Sequence, residues 1–337
     1  MSFRRAFASS WERLKFSAIS KQNSSPPITL AMLSLAIAAL ATLAAAESTP
    51  WPSFGNWTET AGGYDYILSG PAKLGKKVDF ELDRCQYVWN LLNDRTHCTN
   101  NPAPTEANEC MSKLYERKTA IGDQGFLDIF EKDIEEAKQF WYGVIDSSDL
   151  DQPESWKAVE GRAVVSLPNV TAWAFSAWSS SPRADAANNR ANAEHYFKHS
   201  DFTSGSGVSR ILEGWGGTIT NFTIPNYSPA VCAQRPMVRP LPEFAIKACG
   251  DKNLVDGKDT NFGVLNIAAR DVNGADFGQP GKRGIDIYAS IWYGNAISEE
   301  HLEAERQHVI IEIVNMSLKA QEDIETGVFT VPAPPTS

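Results

Sequence analysis

Three polar residues interrupt the most apolar helical stretch of this 337-residue chain. His308, Glu312 and Asn315 are spaced four and three residues apart, which places them on one face of an α-helix. Their neighbours are almost all apolar, so the helix is predicted to be buried. A buried carboxylate must be paired, protonated or bound to a metal, because an isolated one costs several kcal/mol. The spacing predicts a divalent-metal site, a His–Glu hydrogen bond, or a pairing with Arg306 or Lys319.

Two further groups suit the same chemistry. His195 and His199 form a His-x-x-x-His pair inside a segment that reads as a helix. Glu213 follows in an apolar, Gly-rich stretch that reads as the beginning of a strand. Taken one at a time, each of these residues could equally be a polar residue on the surface of a helix or strand. Zinc accepts imidazole nitrogen and carboxylate oxygen at ~2.0–2.2 Å, so three such groups together make Zn²⁺ the expected cofactor.

The elements that would position these groups follow from hydrophobic periodicity and turn residues. Strands are predicted at 162–180, 216–223, 262–271 and 284–293, the last two as a hairpin. Helices are predicted at 86–92, 124–143, 182–199 and 298–326, the last capped by Ser298 and stopped by Gly327. His301 and Glu305 lie near the polar start of that helix and are predicted to be solvated.

A late antiparallel sheet followed by one long helix predicts an α+β, START-like helix-grip fold. A curved antiparallel sheet would surround the C-terminal helix and leave a ligand cavity, behind a helical N-terminal part. The predicted regions are a signal peptide or signal anchor (1–46), an extended and helical N-terminal part (47–159), a helix-grip domain with the metal site (160–327) and a disordered tail (328–337).

The N-terminal region predicts export. Five basic residues and one acidic residue precede Ile28–Ala46, a 19-residue run without charge that ends in three alanines. Such a run suits a cleaved signal peptide and is also long enough for a retained signal anchor. In both cases the following chain lies outside the cytosol, secreted or membrane-anchored, and touches a membrane only through the anchor.

Cysteines and sequons agree with an oxidising compartment. The five cysteines include no Cys-x-x-Cys, which predicts two disulfides and one free thiol. Cys232 and Cys249 are the predicted pair, and two of the first three cysteines form the other. Four sequons are predicted to carry glycans: Asn56, Asn169, Asn221 and Asn226. Asn315 is also a nominal sequon, and its inward position predicts that it is unglycosylated.

Charge and motifs exclude several function classes. The net charge of −10 and the lack of a basic cluster argue against nucleic-acid binding. The sequence has no Gly-x-Ser-x-Gly elbow and no Gly-rich phosphate loop with lysine. Paired carboxylates for glycoside cleavage stay open, because acidic residues are plentiful and their separation is not visible in a sequence.

Four segments resemble the zinc-dependent carbon–carbon hydrolases typified by diacetylphloroglucinol hydrolase and phloretin hydrolase. They are His-Tyr-Phe-Lys-His199, Ile-Leu-Glu213-Gly, Ile-Asp-Ile-Tyr-Ala-Ser-Ile-Trp-Tyr-Gly294 and His308-Val-Ile-Ile-Glu312-Ile-Val-Asn315-Met. In that family an aromatic-rich segment ends in a histidine ligand, a glutamate follows on a strand, and the last helix carries His-x-x-x-Glu followed by Asn. The resemblance covers roughly residues 160–326.

The resemblance implies a Zn²⁺ ion held by two histidines and two glutamates. Its ligands here would be His199, Glu213, His308 and Glu312, with His195 either replacing His199 or lying beside the ligands. Asn315 is expected to orient Glu312. Glu213 is expected both to bind the ion and to move protons. Three tyrosines complete the expected catalytic set, since their residue type suits phenolic oxygens: Tyr196, Tyr288 and Tyr293.

The implied reaction is hydrolysis of a carbon–carbon bond in an acylated phenol, a small-molecule substrate. Water attacks the acyl carbonyl, and the ring carbon leaves as a stabilised enolate, which is a retro-Claisen cleavage. Two other classes stay open. A secreted, non-catalytic binding protein would hold an apolar small molecule in the same cavity, and a structural glycoprotein would have no cavity. Bound zinc would distinguish the hydrolase from the binding protein and the structural glycoprotein.

Overall fold

Nine antiparallel strands form one sheet in the computed structural model of this protein, which describes residues 55–70, 76–98, 100–201 and 208–334. The strand order is β1-β2-β3-β9-β8-β7-β6-β5-β4. The strands are β1 (Gly55–Ala61), β2 (Tyr64–Gly70), β3 (Trp156–Val165), β4 (His195–Ser200), β5 (Ser209–Trp215), β6 (Thr218–Ile224), β7 (Ile246–Leu254), β8 (Asn261–Asn273) and β9 (Arg283–Gly294). The predicted signal region and the last three residues of the predicted tail lie outside the described residues.

Seven α-helices in the described ranges accompany the sheet. They are α1 (Lys77–Arg95), α2 (Ala107–Ile129), α3 (Glu131–Ile145), α4 (Ala172–Ser179), α5 (Pro182–Ala191), α6 (Pro229–Ala233) and α7 (Glu299–Glu325). The α+β class, the curved antiparallel sheet gripping a long C-terminal helix, and the helical N-terminal part are confirmed. Within the part of the chain covered by the structure, no helix combines the length and apolar character needed to cross a membrane.

The last helix is the centre of the main core. The Ser298 side chain accepts a hydrogen bond from the His301 backbone N–H, and the backbone turns at Gly327 with a φ of 71°, so the predicted helix ends are confirmed. The helix lies close over β3 at Gly161, where a Cβ atom would come within 3.3 Å of Val309 and Ile310. Burying each such aliphatic side chain contributes about 1.5–3 kcal/mol.

The hairpin of β8 and β9 agrees with the sequence prediction, but two other segments differ from it. The predicted strand at 162–180 is wrong beyond Val165, because Thr171 accepts a hydrogen bond from the Ala174 N–H and starts α4. The predicted helix at 182–199 ends at Ala191, because His195–Ser200 pairs with β5 as a strand. Cross-strand pairing here overrides local helix propensity.

The N-terminal part shares the sheet with the rest of the unit. The hairpin of β1 and β2 pairs with β3, and the domain boundary expected at residue 160 falls inside β3. The predicted helix at 124–143 is two helices that meet at Phe130. Trp141 of α3 reaches the main core, where its indole N–H donates to Thr220 Oγ1 at 2.8 Å.

Two disulfides tie the helices to their neighbours. Cys232–Cys249 joins α6 to β7, as predicted, and Cys85–Cys110 joins α1 to α2. Cys98 is free and exposed. Of the sequons, Asn169 and Asn226 are exposed, while Asn221 lies half-buried in β6. The side chain of Asn56 lies outside the described part of the structure.

Candidate metal centre

Strand pairing places one predicted histidine directly beside the predicted glutamate. His195 in β4 is the cross-strand partner of Glu213 in β5. A β-bulge follows, because the register shifts between His195 and Phe197. His199, two residues after Phe197, therefore does not point towards Glu213. Its side chain is 59% exposed and pairs with Asp123 at 2.7 Å. The structure does not bring His199 to Glu213 and His308, and His195 lies there instead.

The last helix brings the third group to the same point. His308 Nε2 lies 2.9 Å from His195 Nε2 and 4.0 Å from Glu213 Oε2. His195 Nε2 lies 2.9 Å from the same Glu213 oxygen. All three residues are buried, at 2%, 6% and 2% exposure for His195, Glu213 and His308. Within the described residues, they form the group whose ligand atoms lie within 4.8 Å of one another.

This geometry fits a small divalent cation. An ion ~2.0–2.1 Å from each donor in a tetrahedral site requires donor atoms about 3.3 Å apart. The observed separations of 2.9, 2.9 and 4.0 Å lie on both sides of that value. Two imidazole nitrogens and a carboxylate oxygen are also the donors that zinc accepts in catalytic sites. The residues present therefore fit the expected ion without a change of backbone.

The second ring nitrogen of His308 is oriented by a neighbouring acid. His308 Nδ1 lies 3.4 Å from Glu194 Oε2, and Arg84 lies 3.7 Å from the other oxygen of Glu194. A carboxylate behind a ligating histidine fixes the ring and increases its basicity. Burial lowers the pKa of His308, but Glu194, Glu213 and other acids outweigh burial and raise it to about 9. A cation that binds here displaces this proton.

His195 and Glu213 are held in the forms that bind metals. Burial lowers the pKa of His195, although Glu213 acts in the opposite direction. The lowered pKa favours the neutral ring. Burial alone would raise the pKa of Glu213, but Lys252, His195 and His308 together shift it below its ordinary value. The pair therefore offers one neutral imidazole and one carboxylate.

A buried lysine fixes the backbone that leads into β4. Lys118 of α2 donates from Nζ to three carbonyl oxygens, those of Asn189, Asn192 and His195, at 2.6, 2.9 and 2.6 Å. The Asn192 side chain also donates to the His308 carbonyl oxygen at 3.3 Å. These bonds join the α5–β4 connection to α2 and α7, and so set where His195 meets His308.

Glu312, the fourth expected ligand, lies one helical turn after His308 but outside the three-residue group. Its Oε1 accepts a hydrogen bond of 2.5 Å from Asn188 Nδ2. Burial acts to raise the pKa of Glu312, but the neighbouring His195, Lys198 and His308 outweigh it, so the pKa lies below its ordinary value. Glu312 is thus an ionised neighbour of the centre that Asn188 orients.

Asn315 does not orient Glu312, contrary to expectation. Its Nδ2 donates to Glu81 Oε1 at 2.6 Å and to the Ala191 carbonyl oxygen at 2.9 Å, and its Oδ1 accepts from Lys77 Nζ at 3.0 Å. The residue instead joins α7 to α1 and α5. Its amide is fully engaged, which agrees with the expectation that this sequon stays unmodified.

The three expected tyrosines do not share one site. Tyr196 packs against Phe126 and Phe130 at ring distances of 5.2 and 4.7 Å, on the side of β4 that faces α2. Tyr288 donates its hydroxyl hydrogen to Glu160 Oε1 at 2.5 Å and is fully buried. The structure does not bring Tyr196 or Tyr288 to the three-residue group, because β4 and β9 present these rings to other clusters.

Tyr293 does lie near the centre, within a buried polar network. Its hydroxyl accepts from Lys252 Nζ at 2.9 Å and donates to Glu305 Oε1 at 3.0 Å. Lys252 Nζ is also 3.4 Å from Glu213 Oε1 and 3.8 Å from Glu305 Oε1. Burial raises the pKa of Glu305 to about 7. Since His301 and Glu305 are 5% and 1% exposed, the expectation that they are solvated is wrong.

Several residues of the centre carried little sequence signal. Glu194 is adjacent to His195, and an acid beside a candidate ligand is a signal that could have found it. Lys118, Asn188 and Lys252 each come from a separate element and have no spacing relation to the ligands. Their roles depend on tertiary contacts alone.

A cleft of ≈ 650 Å³ opens between residues of α1, α2, α5 and α7. It is lined by Asn315 and Lys319 of α7 and by Ala187 and Ala191 of α5, among others. Asn315 lies on the same face of α7 as His308 and Glu312. His195, Glu213 and His308 are not among the residues that line the cleft.

The fold and the cluster define an α+β helix-grip protein with a buried His/His/Glu centre. No family model matches the chain, and no curated protein matches it. Among solved structures, the chain is similar to the "Crystal structure of Ara h 8.0201", with 9% sequence identity and a TM-score of 0.26. That match covers 51% of this chain and 99% of the other.

Proposed function

We propose that this protein is a zinc-dependent hydrolase whose ion is held by His195, Glu213 and His308. The observation that carries the proposal is the convergence of three buried ligand atoms within 4.8 Å of one another. Buried polar clusters perturbed by burial and by specific charged neighbours are characteristic of functional sites. The order of the donors along the chain, histidine, glutamate and a histidine on the last helix, also agrees with the carbon–carbon hydrolases that the sequence resembles.

A bound Zn²⁺ supplies Lewis-acid polarisation of an acyl carbonyl and lowers the pKa of a water molecule towards ~7. Glu194 holds the His308 ring in place through Nδ1, and Asn188 holds Glu312 beside the centre. Glu312 is ionised and half-buried, so it is the carboxylate best placed to accept a proton from attacking water. Glu213 is already engaged by His195 and Lys252.

The substrate class that the sequence resemblance implies is an acylated phenol. In the cleavage, the oxygen of water bonds to the acyl carbon, and the bond from that carbon to the ring breaks. Its electron pair goes to the ring, which takes up a proton, while the acyl group leaves as a carboxylic acid.

Metal content and product analysis test this function. Protein purified without chelator is expected to contain about one zinc per chain by elemental analysis. It is expected to release a carboxylic acid from an acylphloroglucinol, and dialysis against a chelator should remove both zinc and activity. Protein without a stoichiometric metal after zinc loading would rule out the enzyme. Zinc without turnover, combined with a thermal shift on adding the acylphenol, would instead identify a binding protein.

We also propose that the chain is exported and glycosylated. Two disulfides agree with an oxidising compartment. In a eukaryotic secretory host, glycopeptide mass spectrometry is expected to find glycans on the exposed Asn169 and Asn226 and none on Asn315, whose amide is engaged by Glu81 and the Ala191 carbonyl. An Asn169→Gln variant serves as the mass control. Protein retained in the cytosol, or a glycan on Asn315, would contradict this.

A further inference from the structure

Lys252 is an unusual residue for the interior of a sheet. It lies on β7, is only 3% exposed, and faces the same core as Glu213 and Tyr293. A lysine is almost never fully buried unless it is paired. The contacts of this ammonium group therefore indicate what it does.

Four aromatic rings surround the ammonium group. Its Nζ lies 4.2 Å from the ring centroid of Trp215, 4.7 Å from Phe222, 5.3 Å from Tyr293 and 5.5 Å from Phe262. These rings come from four different strands, β5, β6, β9 and β8. Desolvated cation–π contacts of this kind are worth about 2 kcal/mol or more. The rings fix the ammonium in one place, so that it acts as a rigid hydrogen-bond donor.

The two oxygens of Glu213 face different partners. Oε1 is 3.4 Å from Lys252 Nζ, whereas Oε2 is 2.9 Å from His195 Nε2 and 4.0 Å from His308 Nε2. The lysine thus occupies one carboxylate oxygen and leaves the other to the two imidazoles. A freely rotating carboxylate could present both oxygens to a cation, as carboxylate ligands often do.

We propose that Lys252 is a positioning residue that restricts Glu213 to binding a metal through Oε2 alone. This inference rests on the proposed metal centre. With one oxygen of Glu213 withheld, the ion keeps a coordination position for a reactant, which catalytic zinc sites require. Lys252 thus acts from β7 on the carboxylate oxygen of Glu213 that does not face the histidines.

Cobalt substitution tests the proposal, because the visible absorption of Co²⁺ weakens when its coordination number rises. In Lys252→Met the side chain keeps its unbranched shape and most of its length but loses the donor, so Glu213 Oε1 becomes available to the ion. The variant is expected to show weaker Co²⁺ absorption than the wild type. Its zinc affinity, measured by chelator competition, is expected to rise, because the ion gains a ligand oxygen and a nearby positive charge is lost.

A charge-matched variant separates positioning from simple charge balance. Lys252 also lies near Glu305, and removing the lysine alone leaves that buried carboxylate without its cation. The double variant Lys252→Met/Glu305→Gln removes both charges, so it keeps the fold if the single variant does not. Positioning predicts that the double variant retains the altered Co²⁺ spectrum. A wild-type spectrum and affinity in the double variant would overturn the role of Lys252, and a wild type that binds no Co²⁺ would overturn the metal centre itself.

Discussion

Replacing His308 by alanine is expected to remove the bound metal and all hydrolytic activity. The residue supplies one of three donors, and its Nε2 faces both His195 and Glu213. Changes to groups that only orient ligands cost about 10–100-fold in metal affinity, so loss of a donor should cost more than about 100-fold. Elemental analysis of purified protein should find well below one zinc per chain in His308→Ala and about one in the wild type.

His199→Ala is the matched control for this experiment. His199 is the ligand that the sequence resemblance implies, but its side chain is 59% exposed and pairs with Asp123. The control is expected to keep full zinc content and activity. Zinc retained in His308→Ala and lost in His199→Ala would mean that the ion binds somewhere other than the three-residue group.

Replacing Trp141 by alanine is expected to have the largest effect on stability. The side chain is fully buried, and its ring lies 4.6 Å from Phe262 and 4.9 Å from Tyr293 between centroids. Its indole N–H also donates to Thr220. Truncation of such a residue leaves a large cavity and costs about 3–5 kcal/mol. Urea unfolding followed by circular dichroism measures the free energy of unfolding.

The preceding residue, Phe140, provides the control for Trp141. It belongs to the same helix and is also aromatic, but it is 38% exposed. Phe140→Ala is expected to cost less than about 1 kcal/mol. Equal losses for the two variants would show that Trp141 does not anchor α3 against the sheet.

The C-terminal helix and the hairpin before it could be read from the sequence because their signals are local. Ser298 caps the helix and Gly327 ends it, and both act on adjacent backbone groups. His308 was found for the same reason, since a polar residue in an apolar helix is visible as a departure from the pattern.

The identity of the first histidine could not be read because it depends on strand pairing. A helix would place His195 and His199 on one face, whereas the bulge in β4 separates their directions. Similarly, His301 and Glu305 read as solvated because the residues around them are polar. His301 is covered by Trp141 and Trp215, whose rings lie 5.4 and 6.0 Å from its own, and Glu305 lies against Tyr293 and Lys252.

Lys252 illustrates a limit of reading one strand at a time. A lysine in a short polar stretch is usually a surface residue. Its burial depends on aromatic rings from four other strands, and the residues next to Lys252 in the sequence do not predict that arrangement. The residues that surround a centre are therefore harder to predict than the residues that form it.

The separation of the donors along the chain decides when the centre can exist. His195 and His308 are 113 residues apart, and His308 belongs to α7, which follows both other donors along the chain. Because chains emerge from the ribosome N-terminus first, a nascent chain has two donors in place long before the third. An ion held by the proposed centre is thus expected to bind only after α7 docks, and its binding free energy would add to the stability of the fold. The proposed function therefore predicts that metal supply and completion of folding are coupled.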